Sequence, residues 1–124
     1  MHCLIETVRR GEISETRDIN TERLSLGSGA DQDIRLQSRL AGLSHAVIEQ
    51  ESDGKLRIRA IAPNQILHNG RKLAESVLTP GDEFSIGNVC FTVREAPETY
   101  NLRLEIKEPA GRQSKELEDG NSTV

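Results

Sequence analysis

The chain lacks tryptophan and has one tyrosine and two phenylalanines among its 124 residues. A core built mainly from large aromatic rings is therefore excluded. Leucine, isoleucine and valine must fill the core instead, as they do between packed β-sheets. At this length the chain can bury one such core, so a single domain is expected.

Cysteine is scarce as well. Cys3 and Cys90 stand far apart, with no CxxC pair and no cysteine–histidine set at the spacing of a zinc site. A disulfide framework and a structural zinc site need more ligands at shorter spacings. We therefore expect two reduced thiols that pack as small core residues, and no metal.

Other absences narrow the function. No apolar run approaches the roughly 20 residues that cross a bilayer, and no signal peptide is visible, so a cytoplasmic chain without a membrane span is expected. The net charge of −4 argues against a nucleic-acid partner, which usually requires clustered lysine and arginine. The motifs GxSxG, GxxxxGK[ST] and HExxH are missing, so neither an enzyme nor a cofactor is expected.

What is present is a series of short alternating segments with turn signals between them, which predicts an all-β sandwich without helices. Asp53-Gly54 and Asn69-Gly70 favour hairpin turns, and Pro63 ends the strand before it. The predicted strands are 3–8, 13–19, 23–27, 34–36, 46–49, 55–62, 66–68, 71–73, 83–86 and 89–94.

The C-terminal quarter reads differently from the rest. Residues 100–107 alternate apolar and polar side chains without a fault, which predicts a further strand that needs a partner. From residue 108 the composition becomes polar, with proline, glycine, serine and charges. The expected organisation is a sandwich domain at 1–96, an extra strand or connector at 97–107, and a disordered polar tail at 108–124.

The order and spacing of small motifs resemble one known family. The motifs are Leu26-Gly27, Asp33-Ile34-x-Leu36, His45-Ala46, Asn64, Asn69-Gly70, Pro80-Gly81-Asp82 and Ile86-Gly87. Together they resemble the forkhead-associated (FHA) domain, a two-sheet β-sandwich of the SMAD/FHA type whose members read phosphothreonine on partner proteins. The resemblance covers about two-thirds of the chain and implies that ligands lie across the loops at one end of the sandwich.

The chain departs from the family where phosphate is held. The family has arginine after the first glycine, and here that position is Ser28; its Ser-Arg pair before the histidine is replaced by Gly42 and Leu43. The glycine expected after Asn64 is Gln65. Two lost charge-assisted hydrogen bonds at about 1.5–3 kcal/mol each would weaken phosphate binding by about a hundred- to ten-thousandfold.

The resemblance also assigns candidate roles. Some residues are expected to shape the loops, and the others are candidates for partner contact. The structural set is Gly27, His45, Asn69 and Gly70. The contact set is Ser28, Gly29, Arg39, Gly42, Leu43, Ser44, Asn64, Gln65 and Arg71. His45 is expected to be a partly buried imidazole that bonds the backbone.

The leading hypothesis is a protein-interaction module that docks a protein or peptide without phosphate, either through the loops 28–32, 37–44 and 63–65 or through a sheet face. It would be a monomer or weak oligomer, and could form the cytoplasmic scaffold part of a larger, membrane-anchored protein. One alternative is a phosphothreonine reader with a shifted pocket that uses Ser28, Ser38, Arg39, Ser44, Arg71 and Lys72. A second is an oligomerising unit, as in type III secretion ring proteins, that pairs through the edge of the strand at 100–107.

Overall fold

The computed structural model describes residues 1–108, which form twelve strands and no helix, and hence no helix that could cross a membrane. The strands are β1 (His2–Arg9), β2 (Glu12–Asn20), β3 (Arg23–Gly27), β4 (Ile34–Arg35), β5 (Ala46–Gln50), β6 (Leu56–Ala60), β7 (Ile66–His68), β8 (Arg71–Leu73), β9 (Glu75–Leu78), β10 (Glu83–Ile86), β11 (Val89–Arg94) and β12 (Leu102–Lys107). One sheet has the order β2-β1-β12-β11-β10-β7-β8, and the other β4-β3-β5-β6-β9. The predicted two-sheet, all-β fold is confirmed.

The core lies between the two sheets and is almost entirely aliphatic, as the shortage of aromatics requires. Its largest members are Phe84 and Phe91, which oppose each other on β10 and β11. Their rings stack with centroids 4.6 Å apart and planes inclined by 6°. Cys3 is fully buried in this core, and Cys90 is exposed; both are free thiols.

The last strand lies inside the larger sheet. β12 pairs in parallel with β1 and antiparallel with β11. Its alternating Leu102, Leu104 and Ile106 are buried in the core. Because both backbone edges of β12 are already paired, the hypothesis that this segment joins other copies by edge pairing is wrong.

Three details differ from the predicted strands. β9 was not predicted, since its four residues begin with the polar pair Glu75-Ser76 and follow β8 after one residue. β6 is shorter than the predicted 55–62, and β4 ends at Arg35 and not at the predicted residue 36.

The Asn69-Gly70 turn has positive φ at both residues, 50° and 87°, as the predicted hairpin turn requires. Of the predicted tail at 108–124, all but Glu108 lies outside the described residues.

Candidate functional site

Three loops meet at one end of the sandwich: the β3–β4 loop (28–33), the β4–β5 loop (36–45) and the β6–β7 loop (61–65). Two backbone hydrogen bonds join the first pair, with the Ser28 N–H donating to Gly42 O (2.9 Å) and the Gly29 N–H to Leu43 O (3.1 Å). This close approach requires Gly27, because a Cβ there would lie 2.2 Å from the Leu43 carbonyl oxygen. The loops therefore meet backbone to backbone, as glycine permits.

His45 ties the second loop to the third. The residue is 5% exposed; Nδ1 accepts the Gly42 N–H at 2.9 Å, and Nε2 lies 2.7 Å from the Gln65 carbonyl oxygen. Since an amide can only donate and a carbonyl can only accept, these partners select the neutral tautomer with hydrogen on Nε2. Both ring nitrogens are bonded to backbone groups of the loops, and the architectural role of His45 stays a prediction.

Asn64 fills the space beside Gly42. A Cβ on Gly42 would lie 2.7 Å from Asn64 Nδ2 and 3.1 Å from its Oδ1. The same Nδ2 donates to Ser44 O at 3.4 Å, a long hydrogen bond. The place where a side chain at position 42 would project is thus taken by an amide, and no hydroxyl can point outward from that position while Asn64 keeps this rotamer.

The hydroxyl groups near this end are largely engaged within the loops. Ser28 Oγ lies 3.2 Å from Ala41 O and 3.3 Å from Gly42 O, so its hydrogen is directed to the β4–β5 loop. Ser38 is buried, and its Oγ accepts the Leu40 N–H at 3.2 Å. Ser44 Oγ is exposed and accepts a hydrogen bond from Gln32 Nε2 at 3.0 Å. Among these three serines Ser44 is exposed, Ser28 is half-buried and Ser38 is buried.

The surface of the β4–β5 loop is apolar. Leu43 is 74% exposed and Leu40 is 71% exposed, and these are the two most exposed large hydrophobic residues within residues 1–108. Arg39 is exposed beside them, and within residues 1–108 it forms no ion pair or hydrogen bond. The loop is held from behind by the β10–β11 turn, where Gly87 has φ +61° and leaves room for Ser38.

Not all candidate residues belong to this loop cluster. Hydrogen bonds and close contacts bring together Gly27, Ser28, Gly29, Gly42, Leu43, Ser44, His45, Asn64 and Gln65. Asn69 instead bonds Glu83, accepting its N–H at 3.1 Å and donating its own N–H at 2.9 Å. Arg71 lies opposite His68 on the β7–β8 hairpin, and within residues 1–108 no hydrogen bond or ion pair connects it to the loops.

Two residues of the surface lie within the predicted docking loops but were not named among the contact residues. Leu40 was not named because an isolated leucine in a loop carries no periodic signal. Gln32, which bridges Asp31 and Ser44, carries none either. No group of three histidine, cysteine, aspartate or glutamate side chains suited to a metal occurs within residues 1–108.

Comparisons with known proteins agree on one fold. The family model of the FHA domain matches residues 24–87. The FHA-2 domain of the Mycobacterium tuberculosis ABC transporter Rv1747 is 24% identical with a TM-score of 0.57, over 82% of this chain and 86% of that one. The FHA domain of CT664 from Chlamydia trachomatis is 21% identical with a TM-score of 0.59, over 68% and 89%.

A third structure is Mycobacterium tuberculosis EmbR in complex with a low-affinity phosphopeptide. It is 21% identical with a TM-score of 0.62, and the match spans 78% of this chain but only 25% of EmbR. No curated protein sequence matches the chain significantly.

Proposed function

The chain belongs to the FHA domain family, whose members are protein-interaction modules, and we propose that its loop end binds a protein partner without phosphate. The observation that carries this proposal is the exposure of Leu40 and Leu43 at the end where the family holds phosphate. Exposed leucines of this kind are more useful against an apolar partner surface than against a dianion.

Physical chemistry supports an apolar contact over a phosphate contact. A phosphate pocket needs charge-assisted donors, each contributing about 1.5–3 kcal/mol. Here Ser28 directs its hydroxyl to loop carbonyls, and Gly42 has no side chain. Burying an exposed leucine contributes about 1.5–3 kcal/mol instead, so Leu40 and Leu43 together can replace what the lost donors supplied.

One feature favours the alternative of a phosphothreonine reader with a shifted pocket. Ser44 has an exposed hydroxyl, and Arg39 is free of carboxylate partners within residues 1–108. Ser38 is too buried to contribute, and Arg71 lies away from the loops. The shifted pocket would therefore rest on one guanidinium and one hydroxyl.

The two functions separate in one titration. The ¹⁵N-labelled protein is titrated with a library of threonine peptides in matched phosphorylated and unphosphorylated forms, while the amides of residues 28, 42–44 and 64 are followed. We expect saturable shifts of similar affinity with both forms, and a loss of about tenfold or more for Leu40→Ser and Leu43→Ser. Leu67→Ser, a half-exposed leucine on β7, is the matched control and should bind normally. Saturable shifts seen only with phosphorylated peptides would refute the proposal.

We further propose that the domain is the cytoplasmic scaffold part of a larger, membrane-anchored protein. The FHA-2 domain of an ABC transporter, which has the same fold, supports this arrangement. Cell fractionation of the full-length gene product tests it, with the expected result that the domain sediments with the membrane and is digested by protease added from the cytoplasmic side. Recovery in the membrane-free fraction would reject it.

A further inference from the structure

The two sheets are unequal, and the difference leaves a cleft on one side of the sandwich. The larger sheet ends in β1 and β2, and the smaller sheet ends in β4. A cleft of about 160 Å³ lies between these ends. We call it the edge cleft, defined by Arg9, Glu15, Arg17, Arg35, Ile106 and Glu108. At about 30 Å³ per water molecule, it has room for the end of one polar side chain.

The edge cleft is positively charged in a chain of net charge −4, since its three arginines face two glutamates. Arg9 is paired with Glu108 at 3.2 Å. Arg35 donates from Nε to Ser28 O at 3.3 Å, which leaves its terminal nitrogens available. Within residues 1–108 no carboxylate lies within ion-pair distance of Arg17 or Arg35. Two guanidinium groups that face one cleft without a carboxylate partner among residues 1–108 favour a bound carboxylate.

The rim of the edge cleft is an unpaired strand edge. β2 has nine residues, pairs only with β1, and is exposed along nearly its whole length. The Thr21 N–H donates to Met1 O at 3.0 Å in register with the β1–β2 ladder. Because antiparallel bonds alternate, Arg17 and Ile19 direct their backbone groups to β1, whereas Thr16 and Asp18 direct theirs outward. A long edge of this kind is a template for an added strand.

We propose that the β2 edge and the edge cleft together bind an extended segment of a partner protein that carries one acidic side chain. The segment would add as a strand beside β2, with its backbone bonded to Thr16 and Asp18. A side chain opposite Arg17 would face the edge cleft, so a glutamate or aspartate is expected there. Ile19 lies two residues from Arg17 on the same face of β2 and favours an apolar side chain opposite itself. Glu15 lies two residues from Arg17 in the other direction and disfavours a carboxylate opposite itself. This surface is separate from the loop end and does not depend on how the loops bind.

The test uses the full chain and two capped, fluorescein-labelled peptides. Both are threonine-rich heptapeptides with a central glutamate. One has a valine two positions before the glutamate and the other has it two positions after, so that the valine can lie opposite Ile19 whether the peptide runs parallel or antiparallel to β2. Saturable binding of one peptide is expected by fluorescence anisotropy, with a loss of about ten- to a hundredfold on changing its glutamate to glutamine. Arg17→Gln and Arg35→Gln should weaken binding comparably. Arg59→Gln, an exposed arginine on β6, should not.

A backbone variant separates strand addition from simple charge attraction. Thr16→Pro removes an outward N–H without removing a bond to β1, so it should abolish binding while circular dichroism stays unchanged. Equal binding by Thr16→Pro, Arg17→Gln and the unchanged protein overturns the proposal, and so does the absence of saturable binding to either peptide.

One further outcome would assign the surface to a different occupant and reject the partner segment. A dimer in sedimentation equilibrium that Thr16→Pro dissociates would show that a second copy of the chain covers β2.

Discussion

Replacing His45 with alanine should loosen the loop end and destabilise the domain. The ring accepts the Gly42 N–H and donates to the Gln65 carbonyl, at 2.9 and 2.7 Å, and it is almost fully buried. Each backbone group left without a partner costs about 1–3 kcal/mol. Because water can reach part of this end, we expect a total loss of about 2–4 kcal/mol in the free energy of unfolding. That is a large share of the roughly 5–15 kcal/mol typical of a domain.

Two conservative variants divide the loss between the two bonds. His45→Asn keeps an acceptor near the position of Nδ1, and His45→Gln keeps a donor near the position of Nε2. Each should recover about half of the stability lost in His45→Ala. Urea unfolding followed by circular dichroism measures the free energies. At about 4 °C per kcal/mol, the melting temperature of the alanine variant should fall by about 8–16 °C.

Amide hydrogen exchange locates the effect. The Gly42 amide should be protected in the unchanged protein and in His45→Asn, and should exchange faster in His45→Ala and His45→Gln. If the Gly42 amide stays protected in His45→Ala, or if the free energy of unfolding changes by less than about 0.5 kcal/mol, the ring does not hold the loop and the reasoning fails.

Two further predictions concern thiols and a surface cluster. Burial raises the pKa of the Cys3 thiol to about 11, whereas Cys90 is exposed. Ellman's reagent should therefore titrate one thiol in the native protein and two in urea. Two fast-reacting thiols in the native protein would contradict the burial of Cys3. The Tyr100 hydroxyl donates to Asp18 Oδ2 at 2.6 Å, which raises the pKa of Tyr100 and lowers that of Asp18. Stabilisation by this pair is therefore present between the unfolded pKa values of the two groups, and is lost as pH falls through the folded pKa of Asp18 or rises through that of Tyr100. Tyrosinate absorbance at 295 nm, specific because the chain has a single tyrosine, should show a midpoint above the usual value of about 10 that falls towards it in Asp18→Ala; equal midpoints would reject the contact.

Most strands were predictable because local alternation reports which face of a strand is buried. The alternating apolar residues Leu102, Leu104 and Ile106 correctly predicted that β12 is a strand. Its place between β1 and β11 was not predictable, because a period of two residues carries no information about which strands will be neighbours. β9 was missed for the opposite reason, since its burial is decided by pairing with β6 and not by its own pattern.

The site was predictable by position but not by contact. Sequence spacing named Ser28, Gly42 and Leu43 as departures from the family pattern and His45 as a loop support, and these assignments stay predictions. It did not show that Asn64 packs into the space beside Gly42, because that contact joins loops 22 residues apart in the chain. It also left Ser38 as a possible anion ligand, although its hydroxyl bonds the Leu40 amide inside the loop.

The contacts that shape the loop end are independent of the groups that would recognise a ligand. The approach of Gly27 to Leu43, the amides of Ser28 and Gly29, and the ring of His45 all act on backbone atoms. None of them uses the side chain at position 43, which is 74% exposed. A substitution at position 43 is therefore expected to leave the contacts that support the fold in place. The β-sandwich frame can thus present the exposed Leu43 at this end without losing any of those backbone contacts.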